Sequence, residues 1–171
     1  MHVFLTGFMG AGKTTVGRLL ARRLAVPFVD LDAVIEGRAG IAVREIFERQ
    51  GEAAFRLLET EALRGVAEGP EVVVATGGGT ITFEENRRLM GGVGLTVFLN
   101  PVFATIVSRI GATGKQDRPL FRDETQAWAL YRQRLPAYRK ADLTVDVGTA
   151  EGAEEVSARI ALMLGDRRCA T

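Results

Sequence analysis

The sequence predicts an α/β fold, a parallel sheet with helices on both faces. Three observations carry that prediction. Short apolar runs alternate with longer amphipathic stretches along the 171 residues, the pattern of repeated βαβ units. The runs are almost wholly apolar, as strands covered on both faces are. A glycine-rich turn stands between the first run and the first amphipathic stretch, where a strand hands over to a helix.

Each element follows in order. Residues 2–6 read as a buried strand, and 7–12 as the turn. Residues 13–24 form a helix with apolar positions 16, 19, 20 and 24 on one face. A short strand at 27–30 opens on Pro27, where a missing N–H does least harm. Residues 31–50 are one or two helices, with Gly37 and Gly40 marking a break, and 52–67 a further helix with its stripe at Phe55, Leu58, Ala62 and Val66. The third strand is 71–75, followed by the triple glycine 77–79 and a short helix at 83–90. A fourth strand at 94–99 leads to Pro101 near the start of a helix over 101–110. Residues 111–123 are polar and Gly-containing and read as a mobile loop. A helix at about 124–138, a fifth strand at 142–147 and a last helix at about 150–164 complete the chain, with a frayed tail over 165–171.

Composition bounds the chemistry. Length alone fits a single domain over residues 1–171, and 47% apolar residues fill an ordinary core. The formal net charge of +1 offers no basic field for nucleic acid. No stretch reaches the roughly 18 apolar residues of a membrane span, and the N-terminus lacks the charged start of a signal peptide. One cysteine and no export signal make the cytoplasm the expected compartment. A single His2 and a single Cys169 exclude multi-histidine zinc sites, thiolate clusters and the Ser–His–Asp and Cys–His triads. Carboxylates, arginines, a few lysines and the backbone remain to do chemistry.

The strand ends show where to look, because ligands of such sheets bind beyond the carboxyl ends of the strands. At the first, Gly7-Phe8-Met9-Gly10-Ala11-Gly12-Lys13-Thr14 fits G-x-x-x-x-G-K-[ST] at every fixed position, in the strand–loop–helix setting that gives this phosphate-binding loop its meaning. Glycines let successive N–H groups converge on an anion, and the helix beginning near Lys13 adds its positive end. Lys13 meets the β- and γ-phosphates, and the Thr14 hydroxyl is placed to ligate Mg²⁺. The chain is expected to bind a nucleoside triphosphate through Gly10, Ala11, Gly12, Lys13, Thr14 and Thr15.

The type of phosphate-loop protein follows by elimination. The third strand ends Val74-Ala75-Thr76-Gly77 without the carboxylate of a motor ATPase, and there is no Asn-Lys-x-Asp guanine signature. A small kinase remains, which needs an acceptor site, a carboxylate supporting the metal and a closing lid. Asp30 and Asp32, two apart at the end of the second strand, point to one side if the extended conformation persists. One could support Mg²⁺ and the other accept from a substrate hydroxyl; alternatively Asp32 only caps the following helix. Arg56 lies one position off the apolar stripe, facing either an anionic substrate or Glu59 at i+3 on a solvated face. Gly77-Gly78-Gly79 after a buried strand points to a ligand closely approaching main-chain N–H groups.

Six motifs then occur in the order found in shikimate kinases. They are Gly7–Thr15, Val29-Asp30-Leu31-Asp32, Phe55-Arg56-Leu57-Leu58-Glu59, Thr76-Gly77-Gly78-Gly79, Asp117-Arg118-Pro119-Leu120 and Arg134-Leu135-Pro136-Ala137-Tyr138-Arg139. The resemblance runs over about residues 3–165. It implies a P-loop three-layer sandwich like the nucleoside monophosphate kinases, with five parallel strands in order 2-3-1-4-5 and a mobile lid over about 111–123. It implies ATP-dependent phosphorylation of the 3-hydroxyl of shikimate, on the route to chorismate and aromatic amino acids. By the same resemblance Asp32 contacts the substrate hydroxyls and is the candidate base, and Asp30 lies near Mg²⁺. Arg56 and Arg134 grip the substrate carboxylate, and Gly77, Gly78 and Gly79 offer N–H groups. Arg118 reaches the phosphates from the lid, and Arg109 lies against adenine. The substrate region is about 31–60, and the stretch Val147-Gly148-Thr149-Ala150 lacks the charged adenine-loop residue of some members. Lys115 is read as a solvated lid cation and Trp128 as packed against Tyr131.

The physical reading agrees, since an arginine fork matches a carboxylate in a way lysine does not. The partners expected are shikimate and ATP, with no nucleic acid and no membrane, and the default assembly is a monomer. A gluconate kinase is the nearest alternative enzyme, and a regulatory nucleotide-binding module the alternative from another class.

Overall fold

A computed structural model describes residues 1–113 and 123–168, with the side chains of 1–110 and 123–165. Five parallel strands form one sheet in the order β2-β3-β1-β4-β5. They are β1 (His2–Thr6), β2 (Phe28–Asp30), β3 (Val73–Ala75), β4 (Gly94–Pro101) and β5 (Leu143–Val147). The helices are α1 (Lys13–Leu24), α2 (Leu31–Ala39), α3 (Val43–Ala67), α4 (Glu84–Val93), α5 (Phe103–Thr113), α6 (Glu124–Tyr138) and α7 (Ala153–Arg168). The expected class, strand order and number of strands all hold.

β1 is the central strand, and all five of its residues are buried, the polar His2 and Thr6 included. Its side chains alternate between two cores, as the period of a strand requires. Val3 and Leu5 join Leu20 of α1 and Ile160 of α7 on one face. Phe4 joins Leu31, Ile46, Leu63 and Tyr138 on the other, under α2, α3, α4 and α6. A Cβ at Gly17 would stand 2.6 Å from the Phe28 ring, so a glycine there lets α1 lie close on the sheet.

Several boundaries move, each for a local reason. Pro101, expected near the start of α5, ends β4 opposite Val147. β1 stops pairing at Thr6 opposite Phe98, so no neighbour on that side needs the N–H that Pro101 lacks. α5 therefore starts at Phe103 and runs to Thr113, past the expected end at 110. The break in 31–50 falls at Gly40, not Gly37: Gly40 takes φ 69° and returns its N–H to Glu36 O, closing α2. A second break falls at Gly51 (φ 81°, ψ 172°) inside α3. The last helix extends to Arg168, beyond the start of the expected tail. None of the described helices is long and apolar enough to cross a membrane. Arg118, Lys115 and Cys169 lie outside the described residues, as does most of the expected lid.

Candidate active site

The phosphate loop leaves the carboxyl end of β1 and delivers the chain to α1. Gly7, Gly10 and Gly12 take φ 140°, 76° and 96°, values that a Cβ would strain. Gly12 caps α1 without any side-chain hydrogen bond. The first N–H groups of α1 are thus not claimed by a capping side chain and present the positive helix end to an anion. Lys13 Nζ folds back over the loop, donating to Gly7 O at 2.9 Å and Phe8 O at 3.0 Å. Thr14 Oγ1 donates to Asp30 Oδ2 at 3.0 Å, tying the loop to the end of β2.

Asp30 and Asp32 do not share an extended strand. β2 ends at Asp30, whose Oδ1 accepts from Asp32 N at 3.2 Å and caps α2. The capping role considered for Asp32 therefore belongs to Asp30. Asp32 reaches the site from the first turn of α2, and its Oδ1 is buried without a hydrogen-bond partner among the described residues. Burial, then the nearby Asp30 and Glu59 carboxylates, push its pKa up to about 6, against the pull of Lys13.

The second half of the site is built on α3, the glycine run and α6. Arg56 donates through Nη1 to Glu59 Oε2 at 2.9 Å and through Nη2 to Glu52 Oε1 at 2.9 Å. Glu59 is fully buried, so the pair on a solvated face considered from sequence is instead an interior one. Burial works against the Arg56 charge, but Glu59 and Glu52 outweigh it and hold its pKa above the ordinary value. Glu59 also accepts from Thr80 Oγ1 at 2.6 Å, which fixes the 3₁₀ turn Thr80–Thr82.

The three glycines serve close approach. None of Gly77, Gly78 or Gly79 has positive φ. A Cβ would stand 2.6 Å from Glu59 Oε1 at Gly77 and 2.6 Å from Arg56 Nη2 at Gly79. At Gly78 it would lie 3.5 Å from Arg134 Nη1 and 3.6 Å from Gly7 O. The run thus packs against both arginines on one side and the phosphate loop on the other.

Arg134 is only 8% exposed on α6. One turn later Tyr138 donates its hydroxyl to Gly78 O at 2.6 Å, stacks on Phe98 and lies against the Arg134 guanidinium. Burial pushes the Tyr138 pKa up to about 12, so it stays a donor. Tyr138→Phe leaves a nearly buried carbonyl without its partner, and is expected to lower stability by about 1–3 kcal/mol in urea unfolding. An unchanged midpoint would show that the loop does not depend on this bond.

Two clefts flank these groups. One of about 500 Å³ is lined by Glu52, Arg56, Phe83, Arg87, Arg134 and Lys140. The other, of about 240 Å³, is lined by Gly12, Thr15, Arg109, Val147, Glu151 and Ala153. Arg109 lies over the loop, with Nη1 3.4 Å from Gly10 O. Glu151 accepts from Gly148 N at 3.0 Å and from Arg159, supplying just past Ala150 a charge that 147–150 lacks. Trp128 stacks on Tyr131 and meets the edge of Phe103, yet remains 42% exposed.

Sequence reasoning gave no role to Tyr138, Thr80 or Glu52. Tyr138 stands at i+4 from Arg134 and Glu52 at i−4 from Arg56, spacings that place each pair on one helical face. Thr80 follows the glycine run directly.

The strand–loop–helix closing on Lys13 and Thr14, on a sheet of order β2-β3-β1-β4-β5, defines a P-loop small-molecule kinase. A family model described as shikimate kinase matches residues 9–164. The chain belongs to the shikimate kinase family. A curated shikimate kinase of Geobacter sulfurreducens is 45% identical over 170 residues, which span 98% of this chain and 92% of that protein. The crystal structure of shikimate kinase from Aquifex aeolicus superposes with TM-score 0.86 and 38% identity over 98% of each chain. A shikimate kinase from Acinetobacter baumannii in complex with shikimate superposes with TM-score 0.89 and 36% identity, over 96% of this chain and 93% of that one.

Proposed function

We propose that this single-domain chain transfers the γ-phosphoryl group of ATP to the 3-hydroxyl of shikimate, giving shikimate 3-phosphate and ADP for aromatic amino acid biosynthesis. The observation that carries this reading is the place of Asp32. Its Oδ1 is buried without a hydrogen-bond partner among the described residues, amid the charges of Lys13, Asp30 and Glu59. Such an atom is suited to accept the proton of an acceptor hydroxyl, and a pKa near 6 suits a base working near neutrality.

The residues present divide the work. Lys13 exchanges the carbonyls of Gly7 and Phe8 for phosphate oxygens, and the N–H groups of Gly10–Thr15 hold the triphosphate. Arg109 and the cleft beside Val147 hold the adenine. Arg56 and Arg134 bind the acceptor carboxylate, and Gly77–Gly79 press against them so that the ring meets main chain. Exclusion of water from this half keeps the phosphoryl group for the acceptor. Arg118 is proposed to complete the charge around the phosphates.

Thr14 and Asp30 fit Mg²⁺: both offer hard oxygen donors, 3.0 Å apart, beside the phosphate loop. Among the described residues no group of three His, Cys, Asp or Glu could hold a metal alone. Mg²⁺ held largely through phosphates and water needs none. When bound, it neutralises charge on the β- and γ-phosphates. We further propose a cytoplasmic monomer without nucleic-acid or membrane partners.

ADP release coupled to shikimate, ATP and Mg²⁺ tests the reading, with gluconate as the competing acceptor. Turnover with gluconate in preference to shikimate would reject it, and no ADP release with either would leave a nucleotide-binding module. Arg134→Ala is expected to raise the shikimate KM by about 10- to 100-fold, the worth of a buried charge-assisted contact, with ATP binding retained. Equal loss of both substrates would instead mark a folding defect.

A further inference from the structure

Arg56 holds two carboxylates in the free protein, and they are not equivalent. Glu59 is 0% exposed, accepts from Thr80 as well, and lies against Gly77. It is locked in place. Glu52 is 54% exposed and follows Gly51, where the helix is broken at φ 81° and ψ 172°. Its half-exposed carboxylate can leave into water at modest cost, although the Arg56 it leaves is only 11% exposed.

What Glu52 covers matters more than the strength of the pair. Its Oε1 accepts from both Nη2 at 2.9 Å and Nε at 3.3 Å of Arg56. Those two N–H groups form the edge of the guanidinium fork that reads a planar carboxylate with two parallel bonds. Glu59 takes Nη1 on the other side. Glu52 also lines the cleft shared with Arg134. A carboxylate of the protein thus sits where an acceptor carboxylate would make its best contact.

We propose that Glu52 is a specificity-determining residue that competes with the acceptor carboxylate for the Nε/Nη2 edge of Arg56. It swings away about the Gly51 break when the acceptor binds. This rests on the reading of Arg56 as an acceptor-binding residue. Two consequences follow. The exchange lowers affinity for the true acceptor, because Glu52 must be displaced. It also disfavours uncharged analogues, which cannot displace it and meet an arginine already neutralised. Glu59, which stays, keeps the guanidinium oriented throughout.

The test is Glu52→Gln in the full chain, which keeps the volume and removes the charge. Steady-state kinetics should show the shikimate KM falling by about two- to five-fold, as displacing a weak, half-exposed ion pair would give. The kcat and the ATP KM should stay within about two-fold. Inhibition by shikimate methyl ester should strengthen more than shikimate binding does, since only the loss of the Glu52 charge opens the edge to a group that cannot displace it. A shikimate KM that is unchanged or raised overturns the proposal, a rise meaning that Glu52 orients Arg56 instead. A wild-type chain that neither binds nor phosphorylates shikimate overturns the functional reading itself and the proposal with it.

Discussion

Asp32→Asn is expected to slow phosphorylation of shikimate by at least about 100-fold while making the ligand-free protein more resistant to heat above pH 6. Both effects come from one carboxyl group. Its Oδ1 is buried without a hydrogen-bond partner among the described residues, and burial together with Asp30 and Glu59 raises its pKa from 3.8 to about 6. The sign follows from linkage. A folded-state pKa above the unfolded value gives a contribution fully present below about pH 4 and lost as pH rises through about 6. At neutral pH the folded chain therefore carries an ionised Asp32 at a cost on the order of 2–3 kcal/mol. Asparagine has the same shape and no charge to bury. At pH 8, in EDTA and without nucleotide, the variant should melt several degrees higher, at about 2–4 °C per kcal/mol for a chain of this size. The difference should shrink below pH 4, where Asp32 is protonated in both states. Loss of the base should lower kcat by about 10²–10⁴-fold. A kcat within about ten-fold of the wild type would remove Asp32 from proton transfer. A lower melting point at pH 8 would show that the ionised carboxylate holds the fold together.

The parts of the site written in contiguous residues were legible in the sequence. Gly7 to Thr14 carries its own conformation, and the positive φ of Gly7, Gly10 and Gly12 is what such a loop demands. The strand order was legible through resemblance and not through pattern, since periodicity says that strands exist but not which are neighbours. What stayed hidden depends on elements meeting across the sheet. Whether Glu59 is solvated or interior is invisible in an i, i+3 spacing, because α3 can turn that face either way. The Thr80 turn and the glycine run packed onto it bury the pair. The glycine run signals close approach, expected of a ligand to its main-chain N–H groups. The approaching groups, however, are side chains from α3 and α6, which sequence order alone cannot bring together. Asp30 and Asp32 were expected side by side on a strand. A cap placed at Asp30 turns the chain into α2 one residue too early for that.

Lys13→Ala should reduce kcat at least about 10²–10³-fold, as loss of one preorganised positive group at a transferring phosphoryl does. The free structure shows why the loss cannot be made good by a neighbour. Lys13 Nζ is already held over the loop by Gly7 O and Phe8 O, at 2.9 and 3.0 Å. On the proposed reading it would move onto the phosphates by exchanging one set of oxygens for another, with little reorganisation. Arg109 approaches the loop over Gly10 and Ala11, and Arg56 is engaged with Glu52 and Glu59. The two lost bonds to carbonyls also contribute to the free fold, so about 1–3 kcal/mol of stability should go with them. The Lys13→Met variant keeps most of the stem's packing and separates the two effects: both variants should lose turnover, and Met should recover part of the stability. Isothermal titration should show ATP affinity weakened in both while shikimate binding to the free protein persists, because Arg56 and Arg134 are untouched. Substantial kinase activity in either variant would reject Gly7–Thr14 as the site that holds the transferred phosphate. Loss of shikimate binding as well would show that the lysine orders the whole carboxyl end of the sheet, through its charge beside Asp32, and not the phosphates alone.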